Sequence, residues 1–182
     1  MYIWIGGKLP EEFESYIRGI CVPLSQKLGL DISGFSLPQH ISLKISFPFA
    51  GDETEVLSYL EERLSKERVF YVNLGTPQRQ GNILWMPFRR NAPLRHLHCL
   101  LDRELLANFG VEQHAFDREF AYHSTLFMGQ EPALAQAEEL LRQLPLPGQL
   151  EIDTILLGLS DTGKSGSFRV VRQISLTRKA QM

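Results

Sequence analysis

Two short runs in this 182-residue chain combine residue types that can do chemistry: His40-Ile41-Ser42-Leu43 and His123-Ser124-Thr125-Leu126. Each reads His-x-hydroxyl-Leu, and each opens a stretch rich in strand-forming residues. In a strand, successive side chains point to opposite faces. His40 and Ser42 then share one face with Lys44, and His123 and Thr125 share one with Phe127. Leu43 and Leu126 fall on the opposite faces, which would pack on helices. If the two strands meet, two imidazoles and two hydroxyls converge. That set suits phosphoryl chemistry: one histidine takes a proton from the nucleophile, the other gives one to the leaving oxygen, and the hydroxyls hold the phosphate oxygens. An ordinary imidazole pKa of about 6.5 allows one ring to be neutral and its partner charged near neutrality.

The chain's other histidines carry weaker patterns. His96 and His98 lie two apart on an expected helix and face different ways, a poor chelate, and His114 sits in a loop without an evident partner. No metal ligand set and no cofactor site are expected. The run from Gly158 to Ser165 matches the phosphate-loop pattern G-x-x-x-x-G-K-[ST]. A working phosphate loop must feed a helix N-terminus, whereas Gly166 and a β-rich run follow here. A hairpin turn is expected instead, with Lys164 within possible reach of a substrate phosphate.

Around these runs the patterning places the elements that must hold them. Tyr2 to Ile5 reads as a buried strand. Pro10 opens a helix with Phe13, Ile17, Ile20, Leu24 and Leu28 at helical spacing. The strand from His40 to Phe47 is stopped by Pro48 and Gly51, and a charged helix runs from Glu53 to Lys66. Two β-rich runs follow, Val69 to Leu74 and Asn82 to Pro87. Pro93 starts a helix with Leu94, Leu97, Leu101 and Leu105 inward and Gly110 as its stop. A strand covers Ala121 to Met128, Pro132 begins a further helix, and Ile152 to Leu159 with Phe168 to Leu176 form a hairpin. The order divides into two α+β halves, each with a histidine-bearing strand followed by a helix. The expected architecture is α+β and bilobal: two pseudo-symmetric lobes, each with an antiparallel-rich sheet and outer helices, and a central cleft between the sheets. Residues 1–182 are read as one domain of two intimately packed lobes.

Composition narrows the partners. With 19 basic and 21 acidic residues the formal net charge is −2, which argues against a long nucleic-acid footprint, since that affinity comes from neutralising phosphates. A small phosphate-bearing ligand in one pocket remains compatible. No apolar stretch approaches the ~20 residues of a membrane span. The N-terminal run lacks a signal peptide's pattern, and Cys21 and Cys99 are expected as buried, reduced thiols. A cytoplasmic monomer is the expectation.

The paired tetrads, 83 residues apart, resemble the signature of the two-histidine (2H) phosphoesterases, and within them the bacterial and archaeal 2′-5′ RNA ligase-like proteins, which include RNA 2′,3′-cyclic phosphodiesterases. Tyr2-Ile3-Trp4-Ile5 before Leu9-Pro10-Glu11-Glu12 is similar to that group's opening strand and helix start. Asn82 to Met86, then Leu94 and Leu97, resemble the elements before its second motif, and Phe120 matches an aromatic commonly found there. The resemblance implies metal-independent hydrolysis of a 2′,3′-cyclic phosphate on a nucleotide or RNA 3′ end, leaving a 2′-phosphate. It makes His40 the proton donor to the departing 3′ oxygen, His123 the base that activates water, and Ser42 and Thr125 the phosphate-binding hydroxyls. An alternative is a nucleotide or RNA-end binding module of the same fold with little catalysis.

The chain departs from the group's pattern in three places. Ser42 stands for the commoner threonine, Ser124 puts a small polar group on the core face, and Phe127-Met128 stand where many members carry an arginine. Lys44 either supplies a positive charge to a phosphate or lies solvated at the strand edge. Phe127 either stacks on a base or packs against the other lobe.

Overall fold

The computed structural model describes residues 1–178. The strands are β1 (Tyr2–Lys8), β2 (His40–Pro48), β3 (Phe70–Asn73), β4 (Gln78–Gln80), β5 (Ile83–Pro87), β6 (His123–Met128), β7 (Gln149–Ile152), β8 (Thr154–Ser160) and β9 (Arg169–Ser175). The helices are α1 (Glu11–Leu28), α2 (Glu53–Leu64), α3 (Ala92–Phe109) and α4 (Ala133–Arg142), with short 3-10 turns at Ser33–Ser36 and Ala115–Asp117. Local chemistry sets the helix ends. The side chains of Asp52 and Asn91 accept from the backbone N–H groups of Thr54 and Leu94 to cap α2 and α3. Gly29 and Gly110 end α1 and α3 at φ 65° and 64°, a left-handed conformation that costs glycine little.

The strands form two principal antiparallel sheets, ordered β2-β1-β8-β9 and β4-β5-β6, and a two-stranded β3-β7 pair. The α+β bilobal architecture read from the sequence is therefore present, but the lobes are not the two halves of the chain. The hairpin β8–β9 returns to pair with β1. Helix α1 follows β1 yet packs on β6 and α4 of the other lobe, while α3 follows β5 and packs on β2. One continuous apolar core results, running from Ile3 and Ile5 through Leu43 and Leu101 to Leu126 and Leu141.

Two sequence expectations change in detail. The run expected as one strand from Ile152 splits at Asp153, because Ile152 pairs with Phe70 whereas Thr154 onward joins the large sheet. The strand beside β5 is β4, whose three residues are exposed and polar and so left no trace in the hydrophobic pattern. It turns into β5 through Gly81 at φ 60°.

Candidate active site

Strands β2 and β6, each at one edge of its sheet, come together between the lobes. This brings the His40 ring near enough to His123 for the two to influence each other's charge, and the two are held alike. His40 Nδ1 lies 2.8 Å from the carbonyl of Pro38, and His123 Nδ1 lies 2.7 Å from the carbonyl of Ala121, in each case two residues upstream. A carbonyl only accepts, so Nδ1 carries the proton in both rings and Nε2 is left for chemistry. Burial pushes the His40 imidazole down to about 4; the Pro38 carbonyl opposes this, and nearby His123 adds to the depression. Burial also holds His123 below the usual imidazole value, against the Ala121 carbonyl. Both rings are neutral in the free protein at pH 7.

A tryptophan from the neighbouring strand buttresses each histidine. Trp85 on β5 stacks on His123 with centroids 3.9 Å apart and planes 15° from parallel. Trp4 on β1 meets His40 edge-on at 4.2 Å. Its indole lies across two glycines: a Cβ at Gly6 would collide with Trp4 Cζ2 and approach His40 Cδ2 to 3.2 Å, and one at Gly158 would come within 2.8 Å of Trp4 Cε3. Between the buttresses lies a cleft of about 630 Å³, walled by Trp4, Ser42, Gln78, Gln80, Trp85 and His123, with Phe116 and Glu119 at its edge. Ser42 and Thr125 are half-buried on their strands, two residues past each histidine. Among the described residues their hydroxyls make no hydrogen bond to protein.

Comparison with known proteins identifies the fold. No family model matches the chain, and no curated protein matches it by sequence. Solved structures do. TT0787 of Thermus thermophilus superposes with a TM-score of 0.63 at 19% identity, over 99% of this chain and 100% of that one. LigT of E. coli, complexed with 3′-AMP, gives 0.62 at 18% identity over 96% and 97%. A protein described as a phosphoesterase gives 0.59 at 18% identity over 96% and 97%. The chain has the fold of these proteins.

Within this fold, both histidine strands carry the same irregularity. Gly6 pairs with Ser42 and Ile5 with Lys44, skipping Leu43. Trp85 pairs with Thr125 and Leu84 with Phe127, skipping Leu126. The leucine of each tetrad is thus the extra residue of a β-bulge, which shifts the alternation by one. Lys44 and Phe127 consequently leave the face they would share with the histidines in a regular strand.

That shift corrects two sequence-derived site residues. Phe127 is fully buried in the core and offers no stacking surface to a ligand. Lys44 is 2% exposed and is neither a solvated edge nor a free phosphate ligand: its ammonium lies 2.7 Å from Asp102 and bonds to Asp117. Its stem still borders the cleft. His98 completes the cluster, its Nδ1 and Nε2 lying 2.8 and 2.9 Å from the carbonyls of Leu43 and Asp117. His98, Asp102 and Asp117 bring three potential metal-ligand atoms within 4.8 Å of one another. The Lys44 ammonium already supplies the positive charge there, paired to both carboxylates.

Other sequence readings resolve as follows. Ser124, an oddity on the core face, donates to Gln39 Oε1 at 2.7 Å in a buried bond that ties the second tetrad to the residue preceding the first. His114 caps the turn at Ala115–Asp117, accepting from Phe116 N at 3.2 Å. Cys21 is buried but Cys99 is exposed, because it lies on the outer face of α3. The phosphate-loop match is a hairpin turn between β8 and β9. The Ser160 hydroxyl accepts from the amides of Thr162 and Gly163 at 3.1 and 2.9 Å, so these N–H groups are taken within the turn. Lys164 does not line the cleft. Trp4, Trp85, Gln39 and the Lys44 cluster went unassigned in the sequence. A tryptophan near the middle of the strand before each histidine strand was the available signal for the first two.

Proposed function

We propose that the protein is a metal-independent phosphodiesterase that hydrolyses a 2′,3′-cyclic phosphate, on an RNA 3′ end or a nucleotide, to a 2′-phosphate. The observation supporting this reading is the matched anchoring of the neighbouring His40 and His123, which leaves Nε2 of each ring without a protein partner among the described residues. His123 Nε2 takes a proton from water as the oxygen attacks phosphorus. The P–O3′ bond breaks in line, and His40 Nε2 gives its proton to the departing 3′ oxygen. Ser42 and Thr125 donate to the non-bridging oxygens as charge builds there. The unequal depression of the two rings supports these roles. A ring held near 4 is, once protonated, the stronger acid, suited to a poor alkoxide leaving group, and the less depressed His123 is the stronger base. The substrate's negative charge restores the proton on His40. Crystal structures of LigT complexed with 3′-AMP, phosphate and ATP are in keeping with phosphate-bearing ligands in this fold.

His40→Ala and His123→Ala should each lower kcat on uridine 2′,3′-cyclic phosphate by about 10²–10⁴-fold, with melting temperature retained and activity resistant to EDTA. Undiminished turnover in both variants would overturn the proposal. Nucleotide binding without turnover across a cyclic-phosphate panel would instead select the non-catalytic binding module.

A further inference from the structure

The cleft holds little positive charge of its own. Its polar wall is made of Ser42, Ser46, Gln78 and Gln80, all neutral, and its one carboxylate is the exposed Glu119. No arginine among the described residues lines it. Arg90, beside the same segment, turns its guanidinium to the Phe120 carbonyl at 3.4 Å. Lys44 lends only its stem, because its buried ammonium is paired to Asp102 and Asp117.

That leaves the histidine pair as the source of positive charge. His123 lines the cleft, and its charge acts on the His40 ring, so a proton on one disfavours a proton on the other. Burial opposes the charged form of both rings. On meeting an anion near neutral pH the pair therefore takes up one proton, not two. A phosphodiester carries a single negative charge, which one imidazolium balances. A phosphomonoester carries close to two above its second pKa of about 6. The second charge would lie in the cleft without a partner and in the field of Glu119.

We infer that the cleft selects its ligand by charge, taking singly charged phosphodiesters and turning away doubly charged phosphomonoesters, with Glu119 as the residue that sets the preference. The inference rests on the phosphodiesterase reading for the nature of the ligand and deepens it. Hydrolysis of a cyclic phosphate carries the ligand from one charge class to the other. Water adds to phosphorus, the P–O3′ bond breaks, the 3′ oxygen gains a proton, and the new 2′-phosphate then loses one to solvent. The product thus acquires the charge that the cleft rejects, and Glu119 acts at its release.

The test uses two ligands that differ in this charge and lack the 2′-hydroxyl: thymidine 3′-(methyl phosphate) and thymidine 3′-phosphate, each titrated calorimetrically into the full chain. At pH 7.5 the diester should bind about tenfold tighter or more, the scale on which one unit charge acts in a partly dry cleft. At pH 5 the gap should close, because the monoester is then singly charged as well. Glu119→Gln should narrow the gap at pH 7.5, and Glu119→Lys should abolish or reverse it. A monoester bound as tightly as the diester by the wild-type protein at pH 7.5, a gap undiminished at pH 5, or one unmoved in both variants would overturn the inference, as would failure of both ligands to bind. Turnover of uridine 2′,3′-cyclic phosphate is read separately. Turnover without the gap overturns this inference alone, whereas the gap without turnover overturns the phosphodiesterase reading and leaves a charge-selective binding cleft.

Discussion

His40 and His123 share a tautomer and an anchor and differ in depth, and this sets the pH behaviour. Under the proposed mechanism, kcat/KM requires one ring protonated and the other neutral in the free protein, so its maximum lies between their two pKa values. With His40 near 4 and His123 below the usual imidazole value, that maximum falls below pH 6.5. Bound phosphate favours the charged ring, so the kcat profile should lie at higher pH than the kcat/KM profile. Initial rates over pH 4–9 check this, and a kcat/KM maximum above pH 7.5 would contradict it. Gly6 belongs to the same scale. Gly6→Ala drives a methyl into Trp4 and against His40, and should cost up to about 100-fold in kcat through misplacement of the ring. Gly158→Ala presses on Trp4 from the far side without touching His40, so it should retain more activity.

At the scale of elements, the paired bulges decide which side chains reach the cleft. By moving Lys44 inward, the bulge at Leu43 puts an ammonium among Asp102, Asp117 and His98, joining β2 to α3 and to the 115–117 turn. Lys44→Ala leaves the buried Asp117 and half-buried Asp102 carboxylates uncompensated and should destabilise the protein by about 3–5 kcal/mol, read as a drop in the urea midpoint. A variant as stable as wild type would show that the cluster does not hold the fold. The tie between Gln39 and Ser124 works across the strands. Ser124→Ala strands the Gln39 amide oxygen at a cost of about 1–3 kcal/mol. It also loosens the registry of the two histidines, so kcat should fall together with stability.

For the whole molecule, the interlacing of α1 and α3 between the sheets means that neither half of the chain encloses its own core. Both histidines are therefore half-buried only in the complete fold, and their protonation is linked to unfolding. A folded-state pKa below the unfolded one means that the unfolded chain binds protons first. The stabilising contribution is complete above pH 6.5 and is lost as pH falls toward 4, by up to about 3 kcal/mol for His40, with His123 adding in the same direction. Urea midpoints should decline over that window, and His40→Ala should flatten the decline. A midpoint independent of pH from 7 to 4 would show that the rings are not held neutral.

Much of this was legible in the sequence because it is local or periodic. The His-x-hydroxyl-Leu runs, the helix stripes, the glycine stops at Gly29 and Gly110 and the turn chemistry after Gly158 each depend on residues a few positions apart. The charge sum limited the nucleic-acid footprint, though as an average it could not record that the ammonium beside the cleft is already held by two carboxylates. What the tertiary structure alone decided depends on pairing between distant segments. A strand's alternation can be read from its own residues, but a bulge exists only relative to a partner strand. The skipped leucines at 43 and 126, and the reassignment of Lys44 and Phe127 that follows, therefore appear only once β1 and β5 are in register. The same reason accounts for the tryptophan buttresses, the Ser124–Gln39 tie and the exchange of helices between lobes: each joins residues whose sequence separation no local pattern records.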